Sequence, residues 1–165
     1  MKNLLILRHA KSSWANMYMS DFERPLNTRG QGDAPKMGQL LKDEGLVPDQ
    51  IICSSANRAL TTAELVALAA DFVGDFQSTR RFYLADPETY IDYVRAEGND
   101  NHQTIMVVGH NPGMEDLVME LTGWTGRFTT ANLAHVALPI DSWRELRWGV
   151  AGELKRLWRP KELSS

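Results

Sequence analysis

The sequence has a single cysteine in 165 residues, so no internal disulfide framework and no cysteine metal site can be built from it. Cys53 lies inside the run Ile51-Ile52-Cys53, where a free thiol behaves as a small buried hydrophobe. Long apolar runs are also missing: Met1-Lys2-Asn3 leads into Leu4-Leu5-Ile6-Leu7 and no further. Such a run is too short for the core of a signal peptide and far too short to cross a bilayer, so a cytoplasmic protein with no membrane partner is expected. Neither sign of charge dominates. Eighteen Lys and Arg against twenty-one Asp and Glu leave a formal charge of −3, which gives no footprint for nucleic acid. Any anion must therefore be held by a local cluster. Repeats, low-complexity tracts and Pro/Gly/Ser-rich linkers are absent as well. The length suits one domain, 1–165, that buries roughly 70% of the surface its unfolded chain would expose.

What the chain does contain is alternation. Leu4–Leu7, Asp49–Ser54 and Thr104–Val108 are short apolar runs of the kind that form strands buried on both faces. Between them lie helical patterns. Thr28 with Gln31 three residues on reads as a capping box, opening a helix through Met37, Leu40 and Leu41 to Gly45, with Pro35 as a kink or second start. Asn57–Phe72 carries Leu60, Ala63, Leu65, Val66 and Ala69 at helical spacing. Gln77–Leu84 reads as a weaker strand or extended loop, Pro87–Arg95 as a helix, and Pro112 as the start of another that ends near Gly123. His135–Leu138 and Glu153–Trp158 suit two further strands, the last at an edge before Pro160. Strands separated by helices predict an α/β fold with a mainly parallel central sheet and helices on both faces.

Two of the apolar runs end abruptly in histidine, as Leu7-Arg8-His9 and Val108-Gly109-His110, and Arg58 follows the third. In an open parallel sheet all three fall at the carboxyl edge, where ligands bind. Guanidinium groups stay charged and are costly to bury without an anion, so Arg8 and Arg58 beside His9 and His110 point to a phosphate pocket. Gly109 would let the backbone approach the anion, the helix begun at Pro112 would aim free N–H groups at it, and Ser12 and Ser13 would add hydroxyls. Imidazole in such a pocket suggests nucleophilic catalysis, one histidine taking the phosphoryl group and the second, protonated, bonding an equatorial oxygen. The chemistry alone does not say which attacks. His102 and His135 read as hydrogen-bonded structural histidines, and Arg58 has Glu64 as an alternative partner. Trp124, Trp143, Trp148 and Trp158 read as core or helix cover, with Trp14 near the mouth of the site. No His-x-x-x-His or Cys/His spacing is present, and the arginines oppose a cation, so no metal or cofactor is expected.

Leu7-Arg8-His9-Ala10-Lys11-Ser12-Ser13-Trp14, with Arg24-Pro25-Leu26-Asn27, Ser54-Ser55-Ala56-Asn57-Arg58-Ala59 and Val108-Gly109-His110-Asn111-Pro112, resembles the histidine phosphatase superfamily. Within it the chain is similar to the small SixA-type phosphohistidine phosphatases, from the first strand to Arg159-Pro160-Lys161-Glu162-Leu163. The resemblance implies a phosphoglycerate mutase-like three-layer fold, His9 as nucleophile, Arg8, Arg58 and His110 completing the phosphate pocket, and no metal. Ala10 stands where the wider superfamily usually has glycine, as in the SixA branch. Larger members carry a carboxylic general acid; the candidates here are Asp86 and Glu88, with Asp21 as a third. SixA-type proteins lack a clear acid, which suits a phosphoramidate whose nitrogen is protonated before the P–N bond breaks. Ser12, Ser13, Arg24 and Asn111 are expected to bind substrate.

The expected function is a phosphatase with a phosphohistidine intermediate, acting on a phosphorylated protein such as a histidine phosphotransfer domain. Short connections leave little sequence for a lid over a small substrate. Two alternatives stand beside it: a phosphomonoesterase or mutase acting on a small phosphorylated metabolite, and a non-catalytic module that recognises phosphoproteins. A pure binder would have no use for a nucleophile. Lys11, Arg80 and Arg81 are basic residues whose contacts with a partner the sequence leaves open.

Overall fold

The computed structural model describes residues 1–163. Among them six strands are formed by Lys2–Arg8 (β1), Gln50–Ser54 (β2), Asp75–Thr79 (β3), Thr104–Gly109 (β4), Leu133–Leu138 (β5) and Glu153–Trp158 (β6). They make one sheet in the order β3-β2-β4-β1-β5-β6. The first four are parallel to one another, while β5 pairs antiparallel with both β1 and β6 and so alone runs against the rest. Four helices span Thr28–Asp43 (α1), Asn57–Ala69 (α2), Pro87–Glu97 (α3) and Gly113–Thr122 (α4).

The two-residue period of β1 builds both halves of the core. Leu5 and Leu7 join Met37, Leu41, Ala63 and Val66 of α1 and α2 on one face. Leu4 and Ile6 join Ile91, Val94, Leu117 and Val118 of α3 and α4 on the other. A strand covered on both faces has no polar side, which is why β1, β2 and β4 read as unbroken apolar runs. Helices thus cover both faces of the sheet, the three-layer arrangement expected of a phosphoglycerate mutase-like fold. Cys53 is buried in β2, and burial pushes its thiol up to about 12.

Local details differ from the sequence reading where short-range competition decides them. The cap of α1 is Asn27, whose side chain accepts from Gly30 N at 2.9 Å, so Thr28 is the first helical residue and no Thr28–Gln31 capping box forms. Asparagine is at least as good a cap as threonine, and one residue shifts the start. Helix α1 continues through Pro35 as one element; Gln31, whose carbonyl loses its helical partner there, is exposed and can turn to solvent. β3 begins earlier than expected, and Arg80–Phe82 forms a 3-10 turn in place of an extended strand end. β3 is a polar, mostly exposed edge strand, and it carries almost no apolar signal. Trp143 and Trp158 are buried and Trp124 packs against the core, but Trp148 is half exposed rather than covering a helix. No helix among the described residues is long and apolar enough to cross a membrane.

Candidate active site

Strand register brings the two histidines together. Arg8 of β1 lies opposite Gly109 of β4, so the next residues, His9 and His110, leave the sheet as neighbours. His9 N donates to the Gly109 carbonyl at 3.0 Å, and the two ring centroids are 5.1 Å apart. β2 flanks β4 on its other side with Cys53 opposite Val108, which places Ser54 beside His110 and Arg58, in the first turn of α2, over the same edge. Thr62 ties two of these segments: its hydroxyl accepts from Ala10 N at 3.0 Å and donates to the Arg58 carbonyl at 2.7 Å. The result is a cavity of about 230 Å³ whose walls include Arg8, His9, Ser12, Arg24, Arg58 and His110.

The tautomer of His9 is set by its backbone. Its Nδ1 lies 2.7 Å from the Ala10 carbonyl, an acceptor only, so Nδ1 carries the proton and Nε2 carries the lone pair of the neutral ring. Burial pushes the His9 pKa down to about 3, aided by His110, Arg58 and Arg8 and opposed by the bond to Ala10. His110 is likewise lowered to about 3, by burial first and then by Arg58, with Asp21 opposing. The second histidine is therefore neutral in the free protein, not protonated as its charge-stabilising role suggested; burial outweighs the single nearby carboxylate. His110 Nε2 and the Ser54 hydroxyl are 2.7 Å apart, and His110 Nδ1 is buried with no protein partner.

The arginines are held by neighbouring acceptors and keep a donor unpaired. Arg58 donates through Nη1 to the Asp21 carbonyl at 2.6 Å and through Nη2 to Asp21 Oδ2 at 3.0 Å, so its partner is Asp21 and not Glu64. Arg8 Nη1 donates to the Phe128 carbonyl at 3.2 Å. The Nε–H of each is buried and unpartnered within the protein. Burial lowers the pKa of Arg8, with Glu115 opposing and Arg58 adding to the fall. A tetrahedral oxyanion would supply acceptors for these groups and relieve their desolvation. Arg24 is also buried; its Nη1 donates to Ser12 Oγ at 2.8 Å, its Nε to Asp21 Oδ1 at 3.1 Å, and its guanidinium lies 3.5 Å from the centre of the Trp14 ring.

Several expected contributions lie elsewhere. Ser13 does not line the cavity; its hydroxyl accepts from Ala15 N and its carbonyl from Arg24. Asn111 reaches the wall but spends its side chain on structure, donating to the Phe128 carbonyl and accepting from Glu115 N. With Met114 N bonded to the His110 carbonyl, the first turn of α4 has few amides left for an anion. Gly109 makes room for Tyr90 rather than for a ligand: a Cβ there would sit 2.2 Å from the Tyr90 hydroxyl, which accepts from His110 N at 3.2 Å. The three candidate acids do not present a proton to the cavity. Asp86 caps α3, accepting from Thr89 at 2.8 and 3.0 Å, which lowers its pKa. Glu88 is exposed in the first turn of that helix and is not part of the wall. Asp21 is opposed by burial, yet hydrogen bonds from Tyr83 and Arg58 and the charge of Arg58 hold it ionised, down to about 2.

Of the positioning residues, Ser54 opens the motif Ser54-Ser55-Ala56-Asn57-Arg58-Ala59 without its role being apparent, and Thr62, Tyr83 and Tyr90 have no signature in the sequence. Each acts through a contact that spans 20 to 62 positions. His102 and His135 sit away from the cavity with ring nitrogens bonded to Gln50 and Asp75 and to Asn3, respectively. No cluster of three or more His, Cys, Asp or Glu side chains able to hold a metal occurs among the described residues.

The sequence profile of the histidine phosphatase superfamily, branch 1, matches residues 4–82. An uncharacterised chloroplast protein of Arabidopsis thaliana is 30% identical over 152 residues, covering 87% of this chain and 70% of that protein. A protein of Agrobacterium tumefaciens assigned as a phosphohistidine phosphatase SixA superposes with a TM-score of 0.82 at 28% identity, covering 96% of this chain and 98% of the other. The protein histidine phosphatase SixA solved with tungstate gives a TM-score of 0.83 at 25% identity over 98% and 99% of the two chains.

Proposed function

Because this chain belongs to the histidine phosphatase superfamily, we propose that it is a phosphatase working through a phosphorylated His9, with phosphohistidine on a protein as its substrate. The observation that carries the reading is that residues lining one cavity hold a lone pair and several donors the protein leaves unpaired. His9 offers Nε2, while Arg8 Nε, Arg58 Nε and His110 Nδ1 are buried without protein acceptors. Similarity to a SixA that binds tungstate, a tetrahedral oxyanion, supports an oxyanion as the ligand.

In this mechanism His9 Nε2 attacks phosphorus in line as the bond to the leaving nitrogen or oxygen breaks. The donors of Arg8, Arg58 and His110 hold the equatorial oxygens, where charge spreads in the transition state. The Ser54 hydroxyl donates into His110 Nε2, which keeps the Nδ1 proton aimed at the oxyanion. Ser12 accepts from Arg24 and has its own O–H free for the same group. Water then attacks phospho-His9, releasing phosphate and restoring the imidazole. A phosphoramidate substrate brings a basic leaving nitrogen that can take its proton from solvent, which fits a cavity where Asp21, Asp86 and Glu88 offer none. The walls present donors and cations rather than acceptors, so the reaction is proposed to need neither metal nor cofactor. The whole described chain serves this one site as a single domain, proposed to act in the cytoplasm.

The test is hydrolysis of a phosphohistidine protein and of an aryl phosphate, both in excess chelator, with wild type and His9→Ala. Chelator-resistant, His9-dependent loss of phosphohistidine with weak aryl phosphate cleavage is the expected result. Cleavage of the aryl phosphate alone would keep the mechanism and move the substrate to small metabolites. No activity on either would overturn the proposal in favour of a binding module.

A further inference from the structure

The cavity at His9 does not stand alone. Arg8, Lys11 and Thr130 form part of its wall and also part of a second cavity of about 290 Å³, lined further by Arg29, Arg159 and Lys161. This one continues through Thr129, Arg159 and Lys161 into an outer depression of about 530 Å³ that ends at Arg127. Together they form an open trough leading away from the site, and no carboxylate of the described residues lines it. Two of its cations are partly engaged, Arg29 with Asp33 at 3.4 Å and Arg159 with Glu162 at 3.8 Å. Among the described residues Lys11, Arg127 and Lys161 have no carboxylate within ion-pair distance, and all three are exposed. In a chain of net charge −3 this concentration of one sign is a local feature, not a reflection of composition.

We propose that the trough is a docking subsite for an acidic segment of the protein whose phosphorylated side chain enters the His9 cavity. The inference rests on the phosphatase reading and adds the chemistry of the partner. Two size arguments favour a macromolecule over a second phosphate of a small substrate. The inner cavity falls below the roughly 300–1,000 Å³ of pockets that enclose a whole small ligand, so it takes the reacting group and leaves the rest outside. The trough is then longer than one further phosphate needs, and its charges sit on long, exposed side chains suited to a broad anionic surface. Outside the trough, the wall of the His9 cavity carries Trp14 and Leu84, both more than half exposed, which a partner surface would cover. Cations of this kind contribute to encounter rate and orientation more than to chemistry, so the subsite acts on substrate capture.

The experiment uses Arg127→Gln/Lys161→Gln, two exposed positions remote from His9. Fluorescence anisotropy at low salt measures binding of a labelled decaglutamate peptide, a decaglutamine control and inorganic tripolyphosphate as competitor. Wild type is expected to prefer the glutamate peptide, and the double variant to lose about tenfold of that affinity, with the difference fading at high salt. In turnover, kcat/KM for a phosphohistidine peptide with an acidic flank is expected to fall about tenfold through KM, while aryl phosphate hydrolysis is unchanged. Equal binding of the two peptides, or an unchanged affinity in the variant, would overturn the proposal. A loss confined to tripolyphosphate would overturn it in favour of a small polyanionic substrate, and a parallel loss on aryl phosphate would place these cations in the reaction itself. The anisotropy result stands whether or not phosphohistidine is hydrolysed, so failure of the subsite and failure of the phosphatase reading are separable.

Discussion

The two ends of the parallel strands are built from similar residue types and reach opposite outcomes. At the amino end Lys2 Nζ donates to the carbonyls of Asp100 and His102, and Asp49 Oδ2 accepts from the amides of Gln103 and Thr104. His102 is held between Gln50 and Asp75, and Trp143 Nε1 donates to the His102 carbonyl. At the carboxyl end His9, His110 and Arg58 are buried and Arg8 is half-buried, yet a lone pair and three N–H groups there have no protein partner. A polar cluster that satisfies itself holds the fold together. One that is held in place and left partly unsatisfied is stabilised by whatever it binds.

The largest way to break this contrast is at His9. His9→Ala should reduce turnover by about four orders of magnitude or more while far-UV circular dichroism and the unfolding midpoint stay near wild type. Activity near wild type would dissolve the distinction. His110→Ala should lower kcat by about 10²–10³-fold with a smaller change in KM, because it removes a donor to developing charge rather than the nucleophile. Acid should expose the same end through stability. His9 and His110 titrate near 3 in the folded chain and near 6.5 in the unfolded one, so between those values the unfolded state binds more protons. Stability should therefore fall as pH drops through that window, by about 1.4 kcal/mol per pH unit for each histidine. His135, also lowered by burial, adds in the same direction. Below about pH 4 protonation of Asp21 adds a further loss, because its folded value is depressed to about 2. Urea midpoints measured across pH for wild type and His110→Ala should differ in slope; identical slopes would refute the burial assignment. The smallest effect belongs to the other end: Asp49→Ala should cost about 1–2 kcal/mol by leaving two amides of the β4 entry unmet, with kcat unchanged.

The candidate corner was legible because two-sided burial writes itself as apolar runs, and each run stops close to a residue that lines the cavity. Arg8-His9, Arg58 and Gly109-His110 can be found by that rule without any contact information. The register that makes His9 and His110 neighbours follows from placing β4 beside β1, which sequence order does not reveal. The roles of Tyr83, Tyr90, Thr62 and Ser54 were invisible for a related reason: they exist only through partners far along the chain. The general acid was not legible, for a physical cause. Asp21, Asp86 and Glu88 were ranked by position, but what decides is who donates to them, and Asp21 is committed to Arg58, Arg24 and Tyr83. Gly109 was assigned to ligand approach when its missing side chain accommodates Tyr90.

Cys53 gives the molecule one more property. Phosphatases that attack through a cysteine need a low-pKa, accessible thiolate, the species that peroxide converts to sulfenic acid. Here the sole thiol is buried in β2 with its pKa pushed to about 12, and the proposed nucleophile is a ring nitrogen outside that chemistry. Under the proposed mechanism turnover needs no thiolate, so peroxide at doses that silence thiol-dependent phosphatases is expected to leave it intact.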